Sequence, residues 1–436
     1  MSQLSKRLLL DTDDAYPLIQ VGVSALNGST RDPEGKEGLT RLLTRLMRRT
    51  ANGLSADQVD EQVDSIGASL GADVSASTTG FAGSVIARSF SKFGELLGGV
   101  LNRPGLAEDE LERLKRETVA DLQEMLDNDR SIARRWFRRA LFDGHPYGRS
   151  STGSQASLSN ISIDDVREHY QACFHRGALQ YAFAGDVTEP MALALVEQLE
   201  TALPPCPPGK QALGEADAFS DPEGPKGRKL WVVDKPERTQ TQILIGGLGT
   251  HPADEDHTAL LVANTVFGGT FTARLTQEVR SKRGWSYGAY SSMPFDRRRQ
   301  SFSMWTFPKA SDAAACVALQ LALLETWVAD GITQAELEYA QSYLVKSNVF
   351  SIDTAAKRMA QALDERIYQL PKDYFSTYTD RVSAVTLQQA NEAIAKRIST
   401  RDLALVVVGT EAEVGQPLRD AVPDLAEYRV IPFDTD

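Results

Sequence analysis

The sequence predicts an α+β protein made of two tandem homologous domains, each a mostly antiparallel sheet with helices packed on it. Three observations lead to this prediction. Strand-like alternation and long amphipathic helical patterns occur in both halves of the chain. A helix cap, a strand and a glycine recur at a constant distance along the chain. A proline-rich segment divides the 436 residues near their middle.

The repeat is clearest at the end of each half. Ser162–Asp165 has the pattern of a capping box that opens a helix, and residues 179–185 then alternate as a strand that ends at a glycine. Thr386–Gln389 and residues 403–409 repeat this pattern, 224 positions later in every case. The chain is therefore predicted to be a tandem duplication.

The earlier parts of the two halves correspond as well. Residues 19–26 and 242–248 have strand patterns, and each half later contains a long helical pattern, at 107–126 and 333–349. Hairpin-like spacing in the second half favours antiparallel pairing. The two segments with this spacing are 285–293 and 301–307.

The boundary between the domains is predicted from the prolines of residues 204–209, because dense proline favours an extended connection without helix. A stretch rich in Gly, Asp, Glu and Pro follows. We predict an N-terminal domain at 1–213, a linker at 214–228 and a C-terminal domain at 229–436.

Composition excludes several classes of partner. The chain is 42% hydrophobic and 24% charged, without an evident apolar run long enough to cross a bilayer, so we expect no membrane partner. A net charge of −12 argues against nucleic acid. The apolar run at Leu8–Leu10 is too short for a signal-peptide core, which favours a soluble cytoplasmic protein. A periplasmic location remains the alternative if a signal has been removed.

The segment from Gly38 to Thr50, with Gly67–Ala72 further on, resembles the first active-site helix of the pitrilysin, insulysin and mitochondrial-processing-peptidase family of zinc peptidases. In that family a His-x-x-Glu-His pattern supplies two zinc ligands and a general base. Those three positions fall on Arg41, Thr44 and Arg45 here. A guanidinium stays protonated and offers no lone pair to a metal. We therefore expect this chain to have no catalytic residues of its own and to bind no zinc or other cofactor.

The resemblance also implies a glutamate ligand on a later helix, and either Asp121 or Glu124 matches its place. Arginines follow one stripe of the first helix, and carboxylates follow one face of the later helix. Either these stripes meet and ion pairs fill the space where zinc would sit, or both are ordinary solvated faces. The stripes consist of Arg41, Arg45 and Arg48 and of Glu117, Asp121 and Glu124.

A second motif is intact. Residues 267–275 and 278–288 resemble the family's segment that binds substrate opposite the zinc, and its functional arginine and tyrosine correspond to Arg280 and Tyr287. Helical spacing over 271–282, with Gly284 as terminator, predicts that Arg280 lies in a last helical turn. Alternation then predicts that Tyr287 lies on the following strand, close to Arg280.

A guanidinium beside a phenol forms a set of donors suited to a peptide carbonyl and to the oxyanion formed when water adds to it. The alternative is that Arg280 stabilises a helix C-terminus and Tyr287 is a core aromatic. The length of the match favours substrate binding.

The resemblance implies a non-catalytic subunit of a heterodimeric zinc metalloendopeptidase. A homologous partner would supply zinc, and this chain would bind a peptide or unfolded protein substrate; pairing of the chain with itself in the partner's absence is left open. The alternative is a catalytically silent structural or peptide-holding protein of the same fold.

Overall fold

A computed structural model describes residues 4–207 and 219–436. The first five positions of the predicted linker, 214–218, therefore lie outside the described residues. The strands are β1 (Leu8–Thr12), β2 (Leu18–Ala25), β3 (Ser69–Val74), β4 (Thr79–Ile86), β5 (Leu179–Gly185), β6 (Arg228–Asp234), β7 (Gln242–Leu248), β8 (Ala289–Ser292), β9 (Ser301–Thr306), β10 (Leu403–Gly409) and β11 (Leu425–Pro432).

The helices are α1 (Leu39–Arg49), α2 (Ala56–Ser65), α3 (Phe90–Asn102), α4 (Glu108–Met125), α5 (Asp129–Leu141), α6 (Gln155–Ser159), α7 (Ile163–Cys173), α8 (Glu189–Ala202), α9 (His257–Asn264), α10 (Arg274–Thr276), α11 (Ala313–Asp330), α12 (Gln334–Ser347), α13 (Val349–Ile352), α14 (Ala355–Ile367), α15 (Tyr378–Ser383), α16 (Leu387–Arg397) and α17 (Glu411–Ala421). Two π-helical turns, Thr265–Gly269 and Gln277–Ser281, follow α9 and α10.

The first compact unit consists of residues 4–122, 150–207 and 350–369. Its sheet has the strand order β1-β5-β2-β4-β3, in which only the β1–β5 pair is parallel among the described strands. Helix α1 buries Leu42 and Leu43 in the core beside the sheet residue Phe81. Helix α14 packs on β5 and β1.

The second compact unit consists of residues 123–149, 219–349 and 370–436. Its sheet has the order β11-β6-β10-β7-β9-β8, with β6 parallel to β10 and β11 and the other pairs antiparallel. The ring of Trp327 stacks on Phe267 with centroids 4.5 Å apart in the core. Helix α5 packs on β10 and β7.

The predicted duplication is confirmed at the helix caps and the strands that follow them. Ser162 and Thr386 each close a capping box at the start of α7 and α16. The strands β5 and β10 occupy the predicted positions. Each of them pairs with one parallel and one antiparallel neighbour. The predicted α+β fold with two mostly antiparallel sheets is therefore correct.

One helix departs from the expectation that no segment could cross a bilayer. Residues 310–330, which contain α11, are long and apolar enough to do so by length and composition alone. Val317, Leu324 and Trp327 of this helix are fully buried in the core of the second unit. A buried core helix has the same length and composition as a membrane span, which accounts for this finding.

Candidate functional site

Helix α1 holds the three positions that match the family's zinc motif. Asp32 caps its N-terminus, because one carboxylate oxygen accepts from the backbone N–H of Gly38 at 2.8 Å and the other accepts from that of Thr40 at 2.9 Å. Leu43 and Leu46 are fully buried on the core side of the helix. The spacing of the remaining positions leaves the arginines on the other side.

Thr44 stands where the family has its general base. Its side chain is fully buried, and its hydroxyl lies 2.7 Å from the carbonyl of Thr40 and 2.6 Å from the hydroxyl of Thr79. A hydroxyl with these partners is a structural link between α1 and β4. It lacks the carboxylate that would activate water.

Arg45 meets two of the three predicted carboxylates. Its guanidinium lies 3.6 Å from Glu117 and 3.7 Å from Asp121, and it donates to the hydroxyl of Thr118 at 3.2 Å. Burial, followed by repulsion from Arg41, lowers the pKa of Arg45, while Asp121 opposes that change. Ion pairs therefore occupy the position of the second histidine, as one of the two sequence hypotheses predicts.

The other members of the stripes differ from that hypothesis. Arg48 forms an ion pair with Asp60 of α2 at 2.7 Å and donates to the carbonyl of Leu70 at 2.6 Å. The reason is geometric. Arg48 follows Arg45 by three residues, which places its side chain about 300° further around the helix axis, so it points toward a different neighbour. Glu124 is exposed and takes part in no ion pair recorded among residues 4–207 and 219–436. Of the two candidates for the third ligand position, Asp121 is the one near Arg45.

Arg49, which was not among the residues predicted from the sequence, forms a bidentate pair with Glu117. It contacts Glu117 at 2.7 and 3.2 Å through both terminal nitrogens, and it lies 3.4 Å from Glu110. Partial burial raises the pKa of Glu117, but the hydrogen bond and the charge of Arg49, together with the charges of Arg113 and Arg45, outweigh burial and the net pKa is lowered. Its spacing of four residues from Arg45 is the signal that could have identified it.

These residues do not fit the zinc ion that the family implies. Zinc requires neutral imidazole, thiolate or carboxylate ligands in a tetrahedral set, whereas α1 presents two guanidiniums and a buried hydroxyl. Within the described parts of the chain, no group of three or more His, Cys, Asp or Glu side chains is placed to hold a metal. No reaction step is therefore assigned to a metal on this chain.

The second motif brings its arginine and tyrosine together. The guanidinium carbon of Arg280 lies 4.4 Å from the ring centroid of Tyr287, and 5.4 Å from that of Phe271 on a neighbouring turn. Tyr287 and Phe271 are 75% and 65% exposed, so neither is a core aromatic. The arrangement is a cation–π cluster in which a half-buried guanidinium lies beside an exposed phenol.

The backbone of this motif differs from the prediction in two places. Helical structure begins at Arg274 and not at 271, and it continues as a π-helical turn through Arg280. Tyr287 lies in a loop, because β8 begins only at Ala289. The hydroxyl of Ser286 donates to the carbonyl of Gly288 at 2.5 Å and accepts from the N–H of Phe307 at 2.9 Å. These bonds replace strand pairing at that point.

Helix α12 anchors the segment that carries Arg280. Arg274 and Glu336 form two parallel hydrogen bonds, at 2.8 and 2.6 Å. These bonds, together with those from Thr333, lower the pKa of Glu336 to about 2. The hydroxyl of Tyr339 lies 2.9 Å from that of Thr272. Sequence reasoning missed Phe271, Glu336 and Tyr339, and only Phe271 lies within the matched motif.

In comparisons with known proteins, models of one peptidase family match the chain both before and after residue 155. The family model described as Insulinase (Peptidase family M16) matches residues 8–155, and the model described as Peptidase M16 inactive domain matches residues 160–344. A non-peptidase homolog, YmxG, from Helicobacter pylori is 23% identical over 72% of this chain and 70% of its own length. An uncharacterized zinc protease, YmxG, from Bacillus subtilis is 21% identical over 92% and 95%.

Solved structures share the fold. A peptidase M16 inactive domain from Pseudomonas fluorescens has a TM-score of 0.82 at 23% identity and covers 92% of this chain and 95% of its own. A protease from Helicobacter pylori has a TM-score of 0.81 at 17% identity, with 92% and 96% covered. Together with the two adjoining family models, these findings show that the chain belongs to peptidase family M16, with residues 160–344 forming the domain described there as inactive.

Proposed function

We propose that this protein is the non-catalytic subunit of a heterodimeric zinc metalloendopeptidase. It binds an extended peptide or unfolded protein substrate through Arg280 and Tyr287, while a homologous partner brings the zinc. The observation that carries the proposal is the pair itself, in which the guanidinium of the half-buried Arg280 lies 4.4 Å from the ring of a tyrosine that is 75% exposed.

The chemistry of the pair suits a scissile carbonyl. Arg280 supplies several N–H donors and a positive charge, and Tyr287 supplies one O–H donor. Donors held in place before the reaction stabilise a developing oxyanion without reorganisation. Because the ring of Tyr287 covers one face of the guanidinium, the two groups also restrict each other's position.

The sheet beside the pair supports binding of extended peptide. Strand β8 follows Tyr287 directly and is the terminal strand in the order of its sheet. A terminal strand can accept a peptide as an added strand through main-chain hydrogen bonds. The peptide would then run beside the pair, with its carbonyl oxygens within reach of Arg280.

Mixing experiments test this proposal. Peptidase activity on an unfolded protein is measured for this chain, for a zinc-bearing homologue from the same organism, and for the two together. We expect activity of the mixture to exceed the sum of the separate activities. In the mixture, Tyr287→Phe and Arg280→Ala are each expected to lower kcat by about 10²-fold, because removal of one oxyanion donor costs that much.

Matched controls are available in the second unit. Tyr343→Phe alters another exposed tyrosine, and Arg401→Ala alters an exposed arginine, both outside the motif. These variants should leave the activity of the mixture unchanged. If the mixture gains nothing over the homologue alone, or if the controls lose as much as the motif variants, the proposal is wrong.

The second candidate is a catalytically silent, peptide-holding protein of the same fold. The replacement of the zinc motif by the Arg45 ion pairs favours it, since that change removes metal chemistry from this chain. The mixing experiment separates the two functions. A holding protein would bind unfolded protein but would not raise the homologue's kcat.

A further inference from the structure

Arg41, at the position of the first zinc-binding histidine, has no ion-pair partner among the residues that the structure describes. Its Nε is buried without a hydrogen-bond partner, and across residues 4–207 and 219–436 no carboxylate lies within ion-pair distance of its guanidinium. A buried donor without an acceptor is costly and therefore calls for an explanation. The simplest is an acceptor supplied by a ligand.

Arg41 lies beside a second arginine of the same stripe, and the nearby carboxylates contact other arginines. Arg45 lies one helical turn away on the same stripe, and the charge of Arg41 lowers its pKa. Glu117 and Asp121 contact Arg45, and Glu117 also binds Arg49. The acids are thus engaged by other cations, which leaves the charge of Arg41 uncompensated.

We propose that Arg41 and Arg45 bind a carboxylate of the substrate peptide in the space where a catalytic M16 subunit would hold zinc. Guanidiniums present N–H donors in a planar array that matches the two oxygens of a carboxylate. The proposal rests on the peptide-binding function above and adds a chemical preference to it. The carboxylate comes from an acidic side chain or from a free C-terminus.

The charges around Arg41 favour binding of a monoanion over binding of a dianion. Arg41 contributes one positive charge in excess, since Arg45 already faces Glu117 and Asp121. A carboxylate compensates that single charge. A phosphate dianion would bring a second negative charge toward two carboxylates that are already present, which is unfavourable.

Peptide binding tests the proposal. The probes are a labelled short peptide of alanine and serine with one central glutamate and an amidated C-terminus, its glutamine counterpart, the glutamine peptide with a free C-terminus, and a phosphoserine version. Fluorescence anisotropy at low salt gives Kd for the wild-type chain, Arg41→Gln and Arg116→Gln. Arg116 is an exposed arginine of α4 and serves as the matched control.

The wild-type chain is expected to bind the glutamate peptide or the free-C-terminus peptide about tenfold more tightly than the amidated glutamine peptide, equivalent to about 1.4 kcal/mol. Arg41→Gln should abolish this preference, and Arg116→Gln should keep it. The carboxylate peptide that shows the preference identifies the source of the anion.

Four results overturn the proposal. The first is equal binding of all peptides by the wild-type chain, which would leave the proposed peptide-binding function intact. The second is a preference that survives Arg41→Gln, and the third is a larger gain for the phosphoserine peptide than for the glutamate peptide. The fourth is absence of binding to any peptide, which would also refute the proposed function. Because no carboxylate in residues 4–207 and 219–436 pairs with Arg41, Arg41→Gln should melt at or above the wild-type temperature, so lost preference will not reflect lost folding.

Discussion

Replacement of Glu336 by glutamine should destabilise the second unit in a pH-dependent way. The pKa of Glu336 is about 2, against an ordinary value of 4.5, because Arg274 holds its carboxylate through two hydrogen bonds. At about 1.4 kcal/mol for each pKa unit, this difference has an upper limit of about 3.4 kcal/mol. The side chain of Glu336 is 31% exposed, so screening by solvent reduces our expectation to about 2 kcal/mol.

The sign of the pH dependence follows from the lowered pKa. The ion pair contributes its full stability above an ordinary glutamate pKa, and that contribution is lost as pH falls from about 5 toward 2. Wild-type protein and Glu336→Gln should therefore differ by about 2 kcal/mol at neutral pH and by much less near pH 2. Glutamine can still accept at the capping box with Thr333, so the substitution isolates the pair with Arg274.

Tryptophan fluorescence during urea unfolding is the appropriate assay, because all five tryptophans lie in segments of the second unit. Glu338→Gln, an exposed glutamate on the same helix, is the control. The reasoning is refuted if Glu336→Gln unfolds at the same urea concentration as Glu338→Gln at neutral pH. A loss of equal size at both pH values would refute it as well.

Three further substitutions, the first paired with a comparison variant, test other parts of the structure. Gly268→Ala should lower the activity of the mixed enzyme, because the added Cβ would lie 2.6 Å from the backbone nitrogen of Ser291. At Gly284 the φ angle is +64° and no atom lies within 4 Å of an added Cβ, so Gly284→Ala should cost only about 1 kcal/mol of stability. Asp364→Asn should raise the melting temperature near pH 8 but not near pH 4, since burial raises the pKa of Asp364 to about 6 and its stabilising neutral form is lost as pH rises through that value. Arg49→Gln should destabilise the chain to urea by about 1 to 3 kcal/mol, because it leaves Glu117 without its closest partner.

The sequence predicted the features that depend on neighbouring residues. Capping boxes at Ser162 and Thr386 and the strands after them are local patterns, and the structure confirms them. The approach of Arg280 to Tyr287 also follows from a short segment. However, the hydroxyl of Ser286, which keeps Tyr287 out of the strand, accepts one of its two hydrogen bonds from Phe307, some twenty positions away. Periodicity carries no information about such a contact.

The ion-pair partners of the arginines on α1 show a second limit of prediction from sequence. Arg45, Arg48 and Arg49 differ by only a few positions, yet Arg48 contacts α2 and β3 while the others contact α4. Each residue rotates the side chain by about 100° around the helix axis, so one position decides which element it meets. The packing of those elements depends on contacts distant in sequence, which a single helical pattern does not contain.

The distribution of segments between the two units has a consequence for how the protein is made. Residues 123–149 belong to the second unit, and residues 350–369 belong to the first. During translation, the first unit therefore cannot complete its packing until α14 has been synthesised. This helix packs on β1 and β5, and it is made after most of the second unit. Contacts between such distant residues slow folding. A fragment ending at the proline-rich segment would lack α14, and its sheet would expose apolar surface on the ribosome and to chaperones.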